Sequence, residues 1–158
     1  MPTTVIVPSW AGLMLRMLKI VAVLTAALFA GASLYINIAE QPARLTLDTR
    51  SAVAQWAPSY LRATWMQAPL ALVSLVSGLG MWLMTGGIGW LVAAGLIGLV
   101  VPFTFVGIMP TNKSLLSLGR DLGSAETRAL LVRWGRLHAV RTALSLLAAV
   151  QYLWLLSA

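Results

Sequence analysis

The side chains best suited to acid–base chemistry stand at the start of the last long apolar segment. Trp134, His138 and Arg141 follow one another at steps of four and three residues, which places them on one helical face. His138 is the only histidine, and an unperturbed histidine titrates near pH ~6.5, which suits a general base. Arg141 lies deeper, where it either snorkels to headgroups or faces a cavity.

A second polar group lies at the end of the first apolar segment. Asn37, Glu40 and Arg44 continue a helical face that begins at Ser33. Glu40 and Arg44 are one turn apart and can form an ion pair. Pro42 is expected to interrupt or end the helix, so these residues form either a functional cluster or a capped helix end with a surface ion pair.

A third polar group follows the third apolar segment. Pro102 removes a helical hydrogen bond and frees a carbonyl, and Pro110 is expected to end the segment. Asn112 then offers two donors and an acceptor at the interface. A kinked helix with an ordinary cap is the alternative interpretation.

The composition indicates that lipid covers much of the surface. Apolar residues make up 59% of the 158 residues and charged residues only 9%, whereas soluble domains carry about 25% charged residues. The net charge of +7 does not indicate nucleic-acid binding, because the basic residues stand at the edges of apolar segments. The lack of cysteine excludes disulfides, thiolate metal sites and iron–sulfur clusters within the chain.

Four apolar segments are long enough to cross a bilayer. They cover about residues 20–38, 68–84, 88–109 and 137–156. They predict an all-α fold, a membrane-embedded antiparallel four-helix bundle that forms one domain over residues 1–158. A removed signal peptide would also begin like the first segment, but the apolar character continues through Ile38 and favours a retained span.

The connections between these spans differ in length. Residues 85–87 predict a tight turn, flanked by Trp82 and Trp90 as interfacial anchors. Ser74 and Gly78 have the spacing that lets two helices approach closely. The two long connections are expected to hold short interfacial helices. One of these is predicted at about residues 51–65, broken or started near a proline, and the other runs from Glu126 into the last span, after a cap at Ser124.

The distribution of basic residues predicts the orientation. The two long connections and the start of the last span hold nine of the 11 basic residues, and the amino-terminal segment holds the other two. The positive-inside rule therefore puts both connections in the cytoplasm and both termini outside, in a membrane expected to be a bacterial inner membrane. Because the two connections share a side, the three polar groups lie at one depth and can converge on one pocket.

These residues resemble the anthrone oxygenase-like family of small membrane proteins. Residues 37–44 resemble its first signature, residues 102–104 with 109–112 its second, and Trp134 with His138 and Arg141 its third. Most members are bacterial and have no known function. The named fungal members oxidise anthrones to anthraquinones without a metal or flavin.

The resemblance implies a cofactor-free oxidation by O2 of a lipophilic, polyketide-like aromatic in a polar pocket at one membrane face. An anthrone carries an acidic CH₂, and its enolate can reduce oxygen directly. The catalytic residues would be His138 as the base, Arg141 as the anion stabiliser, a role that Asn112 could also fill, and Glu40, which would orient the histidine or hold Arg141. The residues expected to bind substrate are Asn37, Arg44, Thr104, Asn112 and Trp134.

Other functions stay open from the sequence. The chain can also be a non-catalytic membrane protein that binds a lipid or a small hydrophobic ligand, or a structural subunit. The expected partners are the bilayer, a small hydrophobic ligand and, in one alternative, further copies of the chain. No cofactor is expected, since one histidine and four carboxylates make a poor metal site within one chain; a single-histidine haem or a metal site shared between chains stays open.

Overall fold

The computed structural model describes residues 10–157, and this part of the chain is almost entirely helical. Four long helices run from Trp10–Arg44 (α1), Thr49–Thr85 (α2), Ile88–Leu115 (α3) and Ala125–Ser157 (α4). Each is long and apolar enough to cross a membrane. The predicted all-α fold with four membrane-spanning helices is confirmed.

The helices form a ring in chain order. Each packs against the next, and α4 closes the ring against α1. Small side chains such as Ala26, Ala94 and Ala148 are fully buried at the contacts, which lets the backbones approach closely. Large apolar side chains such as Leu28 and Val150 are more than half exposed, as expected for a surface in contact with hydrocarbon.

The predicted tight turn between α2 and α3 is confirmed. Gly86 adopts a left-handed conformation with φ of 68°, and its N–H donates to the carbonyl of Trp82 at 2.7 Å. Trp90 differs from its predicted role as an interfacial anchor. It is only 6% exposed and packs against Tyr152 with a ring distance of 5.7 Å, so it is a core residue.

The small residues of α2 permit a close approach to two neighbouring helices. The hydroxyl of Ser74 donates to the carbonyl of Ala22 at 3.1 Å. A Cβ added at Gly78 would lie 1.9 Å from the hydroxyl oxygen of Tyr152, a distance that no packed structure tolerates. The predicted close contact at this spacing is therefore confirmed, and the buried tyrosine hydroxyl occupies the space that the glycine leaves.

Gly78→Ala is expected to destabilise the bundle by about 1–3 kcal/mol, because the added methyl group overpacks a filled core. Thermal unfolding in detergent, followed by circular dichroism, measures the change. Gly95→Ala is the matched control, since a Cβ at Gly95 meets nothing within 4 Å and alanine favours the helix. Equal melting temperatures for the two variants would contradict the packing argument.

The connection between α1 and α2 is much shorter than predicted. It comprises only residues 45–48, because α1 extends to Arg44 and α2 begins at Thr49. Asp48 caps α2 by accepting from the N–H of Ser51 at 3.1 Å. The interfacial helix predicted at residues 51–65 is instead the first part of α2, which continues without a break through Pro58. Burial of its Trp56 side chain against the other helices offsets the lost backbone hydrogen bond.

Two π-helical segments widen α1 and α3 near the same end of the bundle, at Ile36–Glu40 and Thr104–Ile108. Each ends two residues before a proline, Pro42 or Pro110. A proline ring collides with the carbonyl four residues earlier, and that carbonyl lies inside the π-helical segment in both helices. The wider turn accommodates the ring, so the predictions that Pro42 interrupts α1 and that Pro110 ends α3 are wrong.

The predicted start of the last helix is confirmed. The hydroxyl of Ser124 accepts from the N–H of Thr127 at 3.2 Å and caps α4. The guanidinium of Arg128 then donates to the carbonyls of Leu45 and Leu47 in the connection that follows α1. These bonds tie the start of α4 to the connection between α1 and α2.

Candidate functional site

Two adjoining cavities lie at the widened end of the bundle. The first, here called the polar compartment, has a volume of about 10 Å³ and lies between α1, α2 and α4. The second, the apolar compartment, has a volume of about 130 Å³ and is lined mainly by α2 and α3. Tyr60, Thr64 and Arg141 line both compartments. The polar and aromatic residues that line the polar compartment include Glu40, Arg44, Tyr60, Trp134, His138 and Arg141.

The histidine is held by a hydrogen bond from the opposite helix. His138 is 1% exposed, and its Nδ1 lies 2.8 Å from Oδ1 of Asn37. The amide nitrogen of Asn37 donates to the carbonyl of Gly135 at 3.1 Å, and the hydroxyl of Thr142 donates to Oδ1 at 2.5 Å. The carbonyl of Gly135 can only accept a hydrogen bond, so the amide nitrogen of Asn37 must face it. Oδ1 of Asn37 therefore faces the histidine.

The proton of the neutral His138 ring therefore resides on Nδ1. An amide oxygen can accept a hydrogen bond but cannot donate one, so Nδ1 must be the donor. Nε2 is left with its lone pair, as a general base requires. Asn37 was predicted to bind substrate; the structure places its amide against the ring, where it orients the histidine.

Asn37→Leu is expected to lower kcat for the proposed oxidation by roughly 10-fold or more, because the ring loses the acceptor that sets its tautomer. KM is expected to change little, since Asn37 lines neither compartment. Asn37→Asp keeps an acceptor for Nδ1–H and is expected to retain more activity. Steady-state kinetics of both variants measure the difference, and equal kcat values would contradict the positioning role.

An aromatic wall stands beside the histidine. Trp134 stacks on His138 with a ring distance of 5.0 Å and an interplanar angle of 27°. Its other neighbours are Trp56, edge-on at 5.9 Å, and the guanidinium of Arg44, 5.7 Å from the ring. The stack restrains the imidazole plane and leaves a flat apolar surface next to the base.

Glu40 and Arg44 form the predicted ion pair, with Nη2 and Oε1 2.5 Å apart. The same carboxylate oxygen accepts from Ser59 and Gln55, and the guanidinium also donates to Gln41 at 2.6 Å. Glu40 is thus engaged with Arg44. The hydrogen bonds of His138 and Arg141 go instead to the uncharged amides of Asn37 and Gln67, so the structure shows no direct contact by which Glu40 orients the histidine or holds the deeper arginine.

Arg141 lines both compartments and has no carboxylate partner among the described residues. Its Nη2 donates to Oε1 of Gln67 at 3.0 Å, and its guanidinium lies 5.4 Å from the ring of Phe29. The Nε of Arg141 is buried and has no hydrogen-bond partner. The ion pairs within residues 10–157 join other residues, Arg44 to Glu40 and Arg120 to Glu126. A partly buried cation of this kind is available to an anion that enters the compartments.

The two remaining candidates lie apart from the base. Thr104 lines the apolar compartment, but its hydroxyl donates to the carbonyl of Val100 at 2.7 Å, so the side chain offers chiefly its methyl group. Asn112 is 1% exposed and lines neither compartment, and both atoms of its amide lack partners. The structure therefore does not bring Asn112 to the proposed site.

Several residues of α2 at the site are not among the site residues predicted from the sequence. Trp56, Tyr60, Thr64 and Gln67 follow one another at steps of four, four and three residues, and so share a helical face. That spacing could have indicated that these side chains contribute to one site. The prediction of a separate interfacial helix at residues 51–65 hides it, because such a helix turns this face toward lipid headgroups and not toward the bundle.

Comparison with known proteins gives one family. The family model described as anthrone oxygenase matches residues 56–151, which extend from the first part of α2 into α4 and include His138 and Arg141. Anthrone oxygenase tpcL of Aspergillus fumigatus is 42% identical over 52 residues, which are 31% of this chain and 32% of that protein. The match therefore spans about a third of the length of this curated relative. No solved structure matches the chain.

Proposed function

Because the chain belongs to the anthrone oxygenase family, we propose that it oxidises an anthrone-like, lipophilic aromatic substrate with O2 and without a cofactor. One observation carries the proposal. A histidine whose Nε2 is free to act as a base lines the same compartment as an arginine without a carboxylate partner. A base next to a free cation is the arrangement that converts a weak carbon acid into a stabilised enolate.

The proposed reaction begins with loss of a proton from the CH₂ group to Nε2 of His138. The negative charge moves to the carbonyl oxygen of the substrate, where the guanidinium of Arg141 stabilises it. The electron-rich enolate then reduces O2, and a carbon–oxygen bond forms. The protonated histidine returns its proton to the peroxide oxygen, which gives a hydroperoxide at the former CH₂ carbon.

A second proton transfer completes the oxidation. His138 removes the remaining hydrogen of that carbon as a proton, the electron pair forms the new carbonyl, and the O–O bond breaks. The leaving hydroxide takes the proton from the histidine and departs as water. One O2 is thus consumed per substrate, one oxygen atom enters the quinone and the other becomes water, and no external reductant is needed.

The dimensions of the two compartments support this assignment. A space of about 10–15 Å³ holds one water molecule, so the polar compartment of about 10 Å³ suits the water that leaves. The aromatic rings have room in the apolar compartment, and Trp134 lines the polar compartment, where it stacks on the histidine. Dioxygen and such a substrate both partition into lipid, which favours a site inside a membrane-spanning bundle.

We further propose the orientation that the basic residues indicate. Arg50, Lys113, Arg120 and Arg128 lie in or next to the two connections at the end of the bundle that carries the site. The positive-inside rule would put this end, and the site, at the cytoplasmic face of a bacterial inner membrane.

The decisive assay measures the conversion of a synthetic 1,8-dihydroxyanthrone under ¹⁸O₂ by the purified protein in detergent. The proposal expects oxidation faster than in buffer or with heat-denatured protein, and one ¹⁸O atom in the quinone. Activity that withstands a metal chelator, and an absorption spectrum without haem or flavin bands, are expected for a cofactor-free site. Saturable binding without accelerated oxidation would instead support a ligand-binding protein.

A further inference from the structure

We infer that the substrate reaches the site sideways from the bilayer, through an opening between α2 and α3, and that one of its terminal rings stays outside the enclosed space. The identity of the substrate rests on the proposed function, whereas the route rests on the shape and exposure of the apolar compartment. The route is distinct from the chemistry because Ala68, the residue that tests it, lines the apolar compartment and the outer groove but not the polar compartment that holds the base.

The mouth of the apolar compartment lies on the lipid-facing surface. From α3, Val101 is 43% exposed and Phe105 63% exposed, although both line the compartment. The floor is formed by fully or almost fully buried residues, Phe29, Ala71 and Val100. A cavity with a buried floor and exposed apolar side walls opens into hydrocarbon and not into water.

A groove on the outside of α2 continues this mouth. It has a volume of about 460 Å³ and shares Thr64 and Ala68 with the apolar compartment. Its other walls include Trp65, which is 82% exposed, and Leu72, which is 59% exposed. The shared edge is thus formed by two small side chains, and a lipophilic molecule in the groove passes them to reach the compartment.

The volume of the apolar compartment sets how much of a substrate it holds. A dry cavity of about 150 Å³ holds one benzene molecule, and the compartment has about 130 Å³. A three-ring substrate therefore leaves part of its body at the mouth and in the outer groove. Arg141 borders the compartment, so the central ring, which carries the acidic CH₂, points inward and a terminal ring stays in contact with lipid.

The absence of cysteine permits a clean test of this route. Ala68→Cys places a single thiol at the shared edge, and benzyl methanethiosulfonate adds a removable aromatic group to it. Val76→Cys is the matched control, because Val76 lies two turns further along α2, is 58% exposed and lines neither the compartment nor the groove. Labelling is expected to slow anthrone oxidation by roughly 10-fold or more in the Ala68 variant only, since the label blocks substrate positioning. Removal of the label by a reductant should restore the rate.

A second measurement separates the route from the chemistry. The product-like 1,8-dihydroxyanthraquinone, whose binding is followed by quenching of tryptophan fluorescence, reports occupancy without turnover. If no form of the protein oxidises anthrone but the label still weakens anthraquinone binding at position 68, the proposed oxygenase fails and the route stands. Unchanged oxidation or unchanged binding after complete labelling of the Ala68 variant would overturn the route.

Discussion

His138→Ala is expected to slow anthrone oxidation by roughly 10²–10⁴-fold, the usual contribution of a positioned general base. His138 is the only histidine of the chain, so no second imidazole can replace it. Its Nδ1 is bonded to Asn37, which leaves Nε2 to take the proton from the substrate. Initial rates of quinone formation at saturating substrate, corrected for oxidation in buffer, measure the loss.

Added imidazole provides the control for this variant. The alanine leaves a space next to Trp134 that a free imidazole can enter, and partial recovery of the rate is expected as its concentration rises. Melting temperatures establish that the variant is folded, and binding of 1,8-dihydroxyanthraquinone establishes that the compartments are intact. A folded, ligand-binding variant with the wild-type rate would eliminate His138 as the base.

The spacing of residues within single helices predicts much of this site. The steps of four and three residues predict correctly that Trp134, His138 and Arg141 share a face, and all three line the polar compartment. The spacing of Glu40 and Arg44 likewise predicts their ion pair. These predictions succeed because one turn of helix fixes the relation between the residues, whatever lies on the opposite side.

The contacts between different helices could not be predicted from the sequence. Asn37 and His138 are 101 positions apart, and their pairing depends on how α1 packs against α4. The π-helical segments also depend in part on contacts between helices. Pro42 and Pro110 indicate a disturbed helix, but the surrounding contacts decide whether the helix ends or widens. A residue near the predicted depth need not join the site, as the buried side chain of Asn112 shows.

Replacement of the two arginines of the polar compartment by methionine is expected to have unequal effects on stability. Arg141→Met removes a partly buried cation that has no carboxylate partner, together with one hydrogen bond to Gln67, so the melting temperature should change little. Arg44→Met leaves Glu40 without its cation and removes bonds to Gln41 and Gln55, at a cost of about 1.5–3 kcal/mol. Thermal unfolding in detergent, with the exposed Arg136→Met as control, measures both changes.

The same pair of variants separates structure from catalysis. Arg141→Met is expected to lower the rate of anthrone oxidation by roughly 10²–10³-fold, because the enolate loses its stabilising charge. If the Arg141 variant is stable but inactive, the charge of Arg141 serves ligand binding and catalysis. A cation that stabilises the fold would instead lower the stability when it is removed. If Arg141→Met instead unfolded as readily as Arg44→Met and retained its rate, Arg141 would be a structural residue bound to Gln67, and the anion site would have to lie elsewhere.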